Sequence, residues 1–301
     1  MVGTYGRIMT TFELPVTGRF DLRHTIGFGF GGRAGDHGDV LRLAFLTDDL
    51  QRPVGVAVRQ PRPDVLVCTT DAGSDDIDAL AAQTARIVSV DVDARGYDEL
   101  VDGDRILSAV TATLPGLRPP QFCSAYEALY WAILSARRPV GQMMALRDAI
   151  SREHGAVVDV DGRAMPVVPA PRQVLAINSF PGLPNLKLSR LQAMAERALA
   201  GELDTRTLRA RPVAEVADEL QELPGIGPFY SQLVTVRALG HTDALPTAEP
   251  RVIAQLAQLL SRESLSPKEF DDVTRAWSPW RTWACVAIRA SSAGDRMSEP
   301  V

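Results

Sequence analysis

The residues best placed to do chemistry lie between Leu223 and Glu249, in the run LPGIGPFYSQLVTVRALGHTDALPTAE. Leu223-Pro224-Gly225-Ile226-Gly227 reads as a tight turn. Gly225 and Gly227 can take backbone angles closed to other residues, and they let another backbone come close. Pro228 suits the first turn of a helix, where its missing N–H costs nothing. The apolar run after it predicts a helix from roughly Pro228 to Leu239. A glycine turn opening a helix leaves N–H groups pointing outward, a ready site for a phosphate. A short loop then delivers Glu249 directly before Pro250, at the mouth of the next helix. The helix dipole favours the ionised carboxylate there. Such a group can stabilise developing positive charge, or orient and deprotonate water. The plainer readings are a ligand-free turn between two helices and an acid placed only for the dipole. The flanking Leu-Pro and the downstream Pro and carboxylate favour the chemical one.

Two kinds of structure must position these residues. Leu41 to Leu46, Val54 to Val58 and Val65 to Thr69 are short β-rich runs separated by Gly, Pro and Asp. Ile77 to Val88 has helical spacing, with Ile77, Leu80, Ala81, Ala85 and Val88 on one face. This half reads as an α+β unit, an antiparallel sheet with a helix packed on it. Beyond Leu114-Pro115-Gly116-Leu117-Arg118 the text becomes helical. Helices are expected over Ala125 to Ala136, Pro139 to His154, Lys187 to Leu199, Pro212 to Leu220 and Pro250 to Leu260, with a short one starting at Pro171. Two short strands are expected around 157–160 and 165–168, and a second turn at Phe180-Pro181-Gly182-Leu183-Pro184. Ser266-Pro267-Lys268-Glu269 is a capping box with Pro in the first turn. Residues 277–292 close the domain, with Trp277, Trp280 and Trp283 in its packing. The expected domains are 1–110 (α+β), 111–295 (all-α) and a flexible tail, 296–301.

Composition narrows the class. At 301 residues the chain is long enough for two domains. It has no run of about 18 apolar residues, so no membrane span is expected, and no signal-like amino terminus. Cys68, Cys123 and Cys285 are scattered, which points to a reducing compartment and away from a disulfide framework. They are too few for a four-cysteine iron–sulfur cluster. The net charge is −5, against a strongly basic nucleic-acid binder. The charge is uneven, however: residues 1–110 hold 11 basic and 17 acidic groups, residues 111–301 hold 21 and 20. Phosphate contacts would come from local clusters and backbone amides. No Walker loop or metal-ligand cluster stands out, and His24, His37, His154 and His241 are dispersed.

The stretch from Leu223 to Glu249 resembles the helix-hairpin-helix DNA glycosylases, and within them the bacterial inducible 3-methyladenine (alkylation repair) branch. The pattern is an LPGxG hairpin, a helix, then a Pro and an Asp at a set distance. Pro246 and the distance are present, and Glu249 stands where the family has Asp. Phe20-Asp21-Leu22 to Gly27-Phe28, Val90-Asp91-Val92-Asp93 and Trp277-Ser278-Pro279-Trp280-Arg281 resemble the same branch. The resemblance implies an amino-terminal TATA-binding-protein-like antiparallel sheet with helix, then a mostly α glycosylase domain. It implies a monofunctional DNA N-glycosylase of base excision repair that flips an alkylated purine out of duplex DNA and hydrolyses its glycosidic bond. Glu249 is then the catalytic residue. Gly225, Ile226 and Gly227 grip the backbone, and Arg137 fills the gap left by the base. Phe28, Phe229, Leu233 and Arg289 form the base pocket, with Leu233, Pro250 and Arg289 where the family has aromatics. Phe229 also stands where bifunctional relatives carry a lyase lysine, so no strand nick is implied. The carbonyls of Gln221, Leu223 and Ile226 hold Na+ or K+, and no other cofactor is required. The partner is double-stranded DNA, bound by a cytoplasmic, nucleoid-associated monomer. The alternative is a non-catalytic DNA-binding protein on the same scaffold that has lost the catalytic Asp.

Overall fold

The computed structural model describes residues 9–28, 38–73 and 76–291. The amino-terminal tail, apart from its last two residues, and the polar stretch from Gly294 lie outside the described residues.

Strands β1 (Thr10–Pro15), β2 (Leu41–Leu46), β3 (Pro53–Arg62) and β4 (Val65–Thr70) form one sheet in the order β1-β4-β3-β2. Every neighbouring pair is antiparallel, with Leu41 opposite Val58 and Val58 opposite Cys68. Helices α1 (Leu22–Phe28) and α2 (Ile77–Ile87) complete this half. Its core joins Leu41, Leu43, Phe45, Val56, Val58, Leu66 and Cys68 of the sheet to Ile26, Leu80 and Ile87 of the helices. In β3 burial is unbroken from Val54 to Val58, which requires cover on both faces. The second cover comes from far along the chain, the hairpin of β5 (Ala156–Val160) and β6 (Arg163–Val167). A Cβ on Gly55 would stand 2.7 Å from the Val160 side chain, so a glycine there lets the hairpin close in.

The helical half is built around α5 (Ala125–Ser135), of which all residues but Trp131 are buried. A helix buried on every side can be satisfied only inside a bundle. Ser124 caps it, accepting from the Glu127 N–H at 3.1 Å. Around it lie α6 (Val140–His154), α7 (Pro171–Leu175), α8 (Asn185–Leu199), α9 (Thr205–Arg209), α10 (Val213–Leu220) and α11 (Pro228–Arg237). A second helical core joins α3 (Arg95–Gly103) and α4 (Arg105–Thr111) to α12 (Pro250–Leu259), α13 (Pro267–Thr274) and α14 (Arg281–Ser291). Tyr97, Leu107, Leu256, Phe270, Trp277 and Trp283 are its large members. Asp104 caps α4 by accepting from the Ile106 and Leu107 amides, and its other oxygen takes the Trp277 indole N–H at 2.8 Å. The last helices therefore rest on α3 and α4, from residues 95–111.

Buried guanidinium groups stitch the two halves. Arg118 donates to the carbonyls of Thr17, Arg19, Ser89 and Val92, with the rings of Phe20 and Trp283 5.6 and 5.7 Å from its Cζ. Arg86 reaches the carbonyls of Cys123 and Ala238 and the Asp48 carboxylate. Five fixed donors on one planar group suit this work, which a lysine could not repeat. Burial pulls Arg118 down to about 10, so it stays protonated at neutral pH. Among the described residues no helix is long and apolar enough to cross a membrane.

Candidate active site

The glycine turn forms as its residue types require. Leu223 and Ile226 are buried and anchor it, and the Ile226 N–H donates to the Leu223 carbonyl at 3.0 Å. Gly225 has φ +90°, which a side chain would strain. Gly227 is extended and caps α11, with Pro228 in the first turn and the Ser231 N–H returning to the Gly227 carbonyl at 3.0 Å. Among the described residues neither the Gly225 nor the Gly227 amide donates to a backbone acceptor. Nothing lies within 4 Å of a Cβ built on Gly227, so its surroundings are open. Among the described residues the carbonyls of Gln221 and Ile226 accept no backbone hydrogen bond, while that of Leu223 accepts one. Backbone carbonyl oxygens are the ligand type that hard cations take.

One face of α11 then becomes a pocket wall. Phe229, Gln232, Leu233, Val236 and Arg237, spaced at helical intervals, line a cavity of about 70 Å³. Pro246, Ala248, Glu249, Val252, Cys285, Val286 and Arg289 close it. Glu249 is half-buried, caps α12, and accepts from the Arg251 N–H at 3.1 Å. It is the only carboxylate among the described lining residues. Arg289 stands in its field: burial and the charge of Arg251 lower the Arg289 guanidinium from its ordinary range, and the Glu249 carboxylate opposes this. Cys285 is no nucleophile, since burial pushes its thiol up to about 12.

The loop carrying Glu249 is fastened at two points. Gln232 donates from Nε2 to the Thr247 hydroxyl and accepts the Ala248 N–H at Oε1, both at 2.7 Å. Arg281 at the head of α14 holds Asp243 through Nε to Oδ1 at 2.9 Å and Nη2 to Oδ2 at 2.8 Å. The Thr282 hydroxyl adds a bond to the Ala244 carbonyl at 2.7 Å. Burial opposes ionisation of Asp243. The Arg281 side chain and backbone and the Ser278 hydroxyl outweigh it, holding the carboxyl below the usual carboxylate range.

Four of the expected residues thus meet, Phe229, Leu233, Glu249 and Arg289. Pro250 is exposed at the start of α12 and does not line the cavity. Phe28 is not among the described lining residues, but its ring centroid is 5.0 Å from the Cζ of Arg237, which is. Arg137 is exposed just beyond α5 with φ +54°. Two residues before it, the Ser135 hydroxyl is 3.3 Å from that of Tyr230, whose ring meets Phe229 edge-on at 5.2 Å. The end of α5 therefore reaches the start of α11. Sequence reasoning missed Gln232 and Arg237. Their spacing of three and eight residues from Phe229 puts them on its helix face, the signal that could have found them.

No family model matches the chain. It is 26% identical over 245 residues to the probable bifunctional transcriptional activator/DNA repair enzyme AlkA of Mycobacterium tuberculosis, covering 76% of this chain and 46% of that protein. The chain thus spans about half the length of that relative. It is 22% identical over 203 residues to the DNA-3-methyladenine glycosylase of Bacillus subtilis, covering 66% of each. In structure it is similar to the 3-methyladenine DNA glycosylase from Archaeoglobus fulgidus, with a TM-score of 0.79 at 17% identity over 96% of this chain and 100% of that one. The small antiparallel sheet followed by a helical domain is therefore the fold that this neighbour shares. Both sequence and fold are similar to proteins described as DNA repair enzymes and 3-methyladenine glycosylases.

Proposed function

We propose that this protein is a monofunctional DNA N-glycosylase of base excision repair, acting on alkylated purines in double-stranded DNA. The observation that carries the reading is the place of Glu249. It sits at the mouth of α12, on the wall of a cavity whose opposite side is the helix opened by the glycine hairpin. Extruding a base costs a few kcal/mol, and each device for it has a residue here. The amides of Gly225 and Gly227 grip a phosphate, with Na+ or K+ on the carbonyls of Gln221, Leu223 and Ile226 completing the turn's charge. Arg137 fills the gap, its planar guanidinium stacking on the remaining bases. Phe229 and Leu233 bound the extruded base, and an electron-poor ring stacks well on Phe229. As the base departs, positive charge builds on the sugar. The Glu249 carboxylate stabilises that charge and orients the attacking water. With Phe229 where a lyase would carry its amine, the product is an abasic site without a nick. The protein acts as a monomer on chromosomal DNA in the cytoplasm and needs no further cofactor.

A second reading, a scaffold that binds DNA without releasing bases, draws on the guanidinium of Arg289 beside Glu249. The two separate by mass spectrometry of bases freed from methylated DNA. The glycosylase releases free methylpurines, and Glu249→Gln abolishes release while DNA binding persists. A Glu249→Gln protein of full activity would refute the catalytic role. Binding without release, even after Glu249→Asp, would establish the second reading.

A further inference from the structure

Three cations, one against the hairpin and two at the end of α5, play no part so far. Arg190 lies on α8, with its Cζ, Nε and Nη1 each 2.7 Å from where a Cβ on Gly225 would stand. The guanidinium therefore rests flat against the glycine that carries the turn. Its Nε is buried with no hydrogen-bond partner among the described residues. One turn earlier on α8, Lys187 donates from Nζ to the carbonyls of Leu134 and Ala136, at 2.6 and 2.8 Å. It thereby closes the last turn of α5 and fixes the residue before Arg137. Arg138 donates from Nη2 to the Gly182 carbonyl at 2.8 Å, in the turn that precedes α8.

Among the described residues, none of Arg137, Arg138, Lys187 and Arg190 forms an ion pair with a carboxylate. The acids flanking the hairpin in sequence are engaged elsewhere. Glu219 is held by Arg197 and Arg211, and Glu222 by Arg197. Burial, then the like charges of Arg138 and Arg190, lower Lys187 from its ordinary range. Crowded cations without a counter-charge are costly until a polyanion arrives. A solvated face would spread them apart. Here α8 and the segment after α5 bring them onto the hairpin and the end of α5.

We infer that Arg138, Lys187 and Arg190 extend the hairpin into one phosphate-binding arc for the DNA backbone, ending at Arg137, and that Lys187 is the positioning residue for Arg137. The inference rests on the glycosylase reading and adds residues which that reading does not contain. The grip on the backbone and the side chain that fills the gap then share one frame, because Lys187 ties α8 to the end of α5.

The test is the salt dependence of binding to a duplex with an abasic site, by fluorescence anisotropy between about 50 and 200 mM salt. Arg190→Ala and Arg138→Ala each lower the log–log slope by about 1, while Arg172→Ala on α7 leaves it unchanged. A 2-aminopurine reporter at the target base follows extrusion. Lys187→Met reduces extrusion by more than it reduces affinity, and Lys187→Arg restores it. Circular dichroism checks that each variant folds. If the wild type binds and neither arginine variant changes the slope, the arc is wrong and the glycosylase reading stands. If the wild type does not bind DNA, both fall together.

Discussion

The sharpest perturbation of the site leaves the carboxylate in place. Gln232 holds the loop before Glu249 through two hydrogen bonds of 2.7 Å, one to Thr247 and one from Ala248. Gln232→Ala removes both. Each net neutral bond contributes about 0.5–1.5 kcal/mol. Gln232 is half-exposed, so water replaces part of that, and the total loss is about 1–2 kcal/mol. In a chain of this size the melting temperature then falls by roughly 2–3 °C. The catalytic effect is larger, because a misplacement of about 1 Å at the reacting centre can cost about 100-fold in rate. Single-turnover release of methylpurine is therefore expected to slow by about two orders of magnitude. DNA affinity changes little, since Gln232 faces the pocket rather than the hairpin. Gln232→Asn, one carbon shorter, falls between the two. Wild-type release by a Gln232→Ala protein that is less stable would show that the loop does not set the carboxylate's position.

Two further expectations follow from neighbours of Glu249. Arg289→Leu removes a guanidinium from the pocket wall, which favours bases that carry positive charge while still attached to the sugar. The like-charge cost relieved is about 1 kcal/mol, so release of 7-methylguanine relative to uncharged hypoxanthine rises about fivefold by mass spectrometry. Asp243→Asn breaks the hold of Arg281 on the loop and lowers stability at neutral pH by about 1–3 kcal/mol. Asp243 titrates below its unfolded value, so its stabilisation is complete above roughly pH 4 and is lost as pH falls through the folded value. The gap in melting temperature between wild type and Asp243→Asn stays constant from about pH 8 to about pH 5 and narrows below about pH 4.

Much of the fold was legible because local chemistry decided it. Alternating Leu41, Leu43 and Phe45 wrote β2, and the apolar run at 125–135 wrote α5. The Ser266–Glu269 capping box stands as expected, Ser266 accepting from the Glu269 amide at 3.3 Å. The α3–α4 pair went unread although Asp104 is an N-cap followed by Ile106, Leu107 and Val110 at helical spacing. Arg95-Gly96 at the start of α3 obscured it. Gly55 carried no readable message either, because the hairpin it admits comes from about a hundred residues away. At the site, the turn and Glu249 were legible because their dihedral and capping demands are local. Arg190 was not, since nothing within α8 says which glycine its guanidinium will meet.

Arg118 belongs by sequence to the helical half, yet all four carbonyls it serves come from Thr17, Arg19, Ser89 and Val92. A fragment beginning at residue 111 would strand a charged group on a bare indole. The discarded piece would be left with four carbonyls that water alone must solvate. The two halves are then expected to fold as partners, and calorimetry should record a single melting event. Anyone trimming this chain for engineering would need to keep the sheet, though none of the described residues of the cavity wall comes from it.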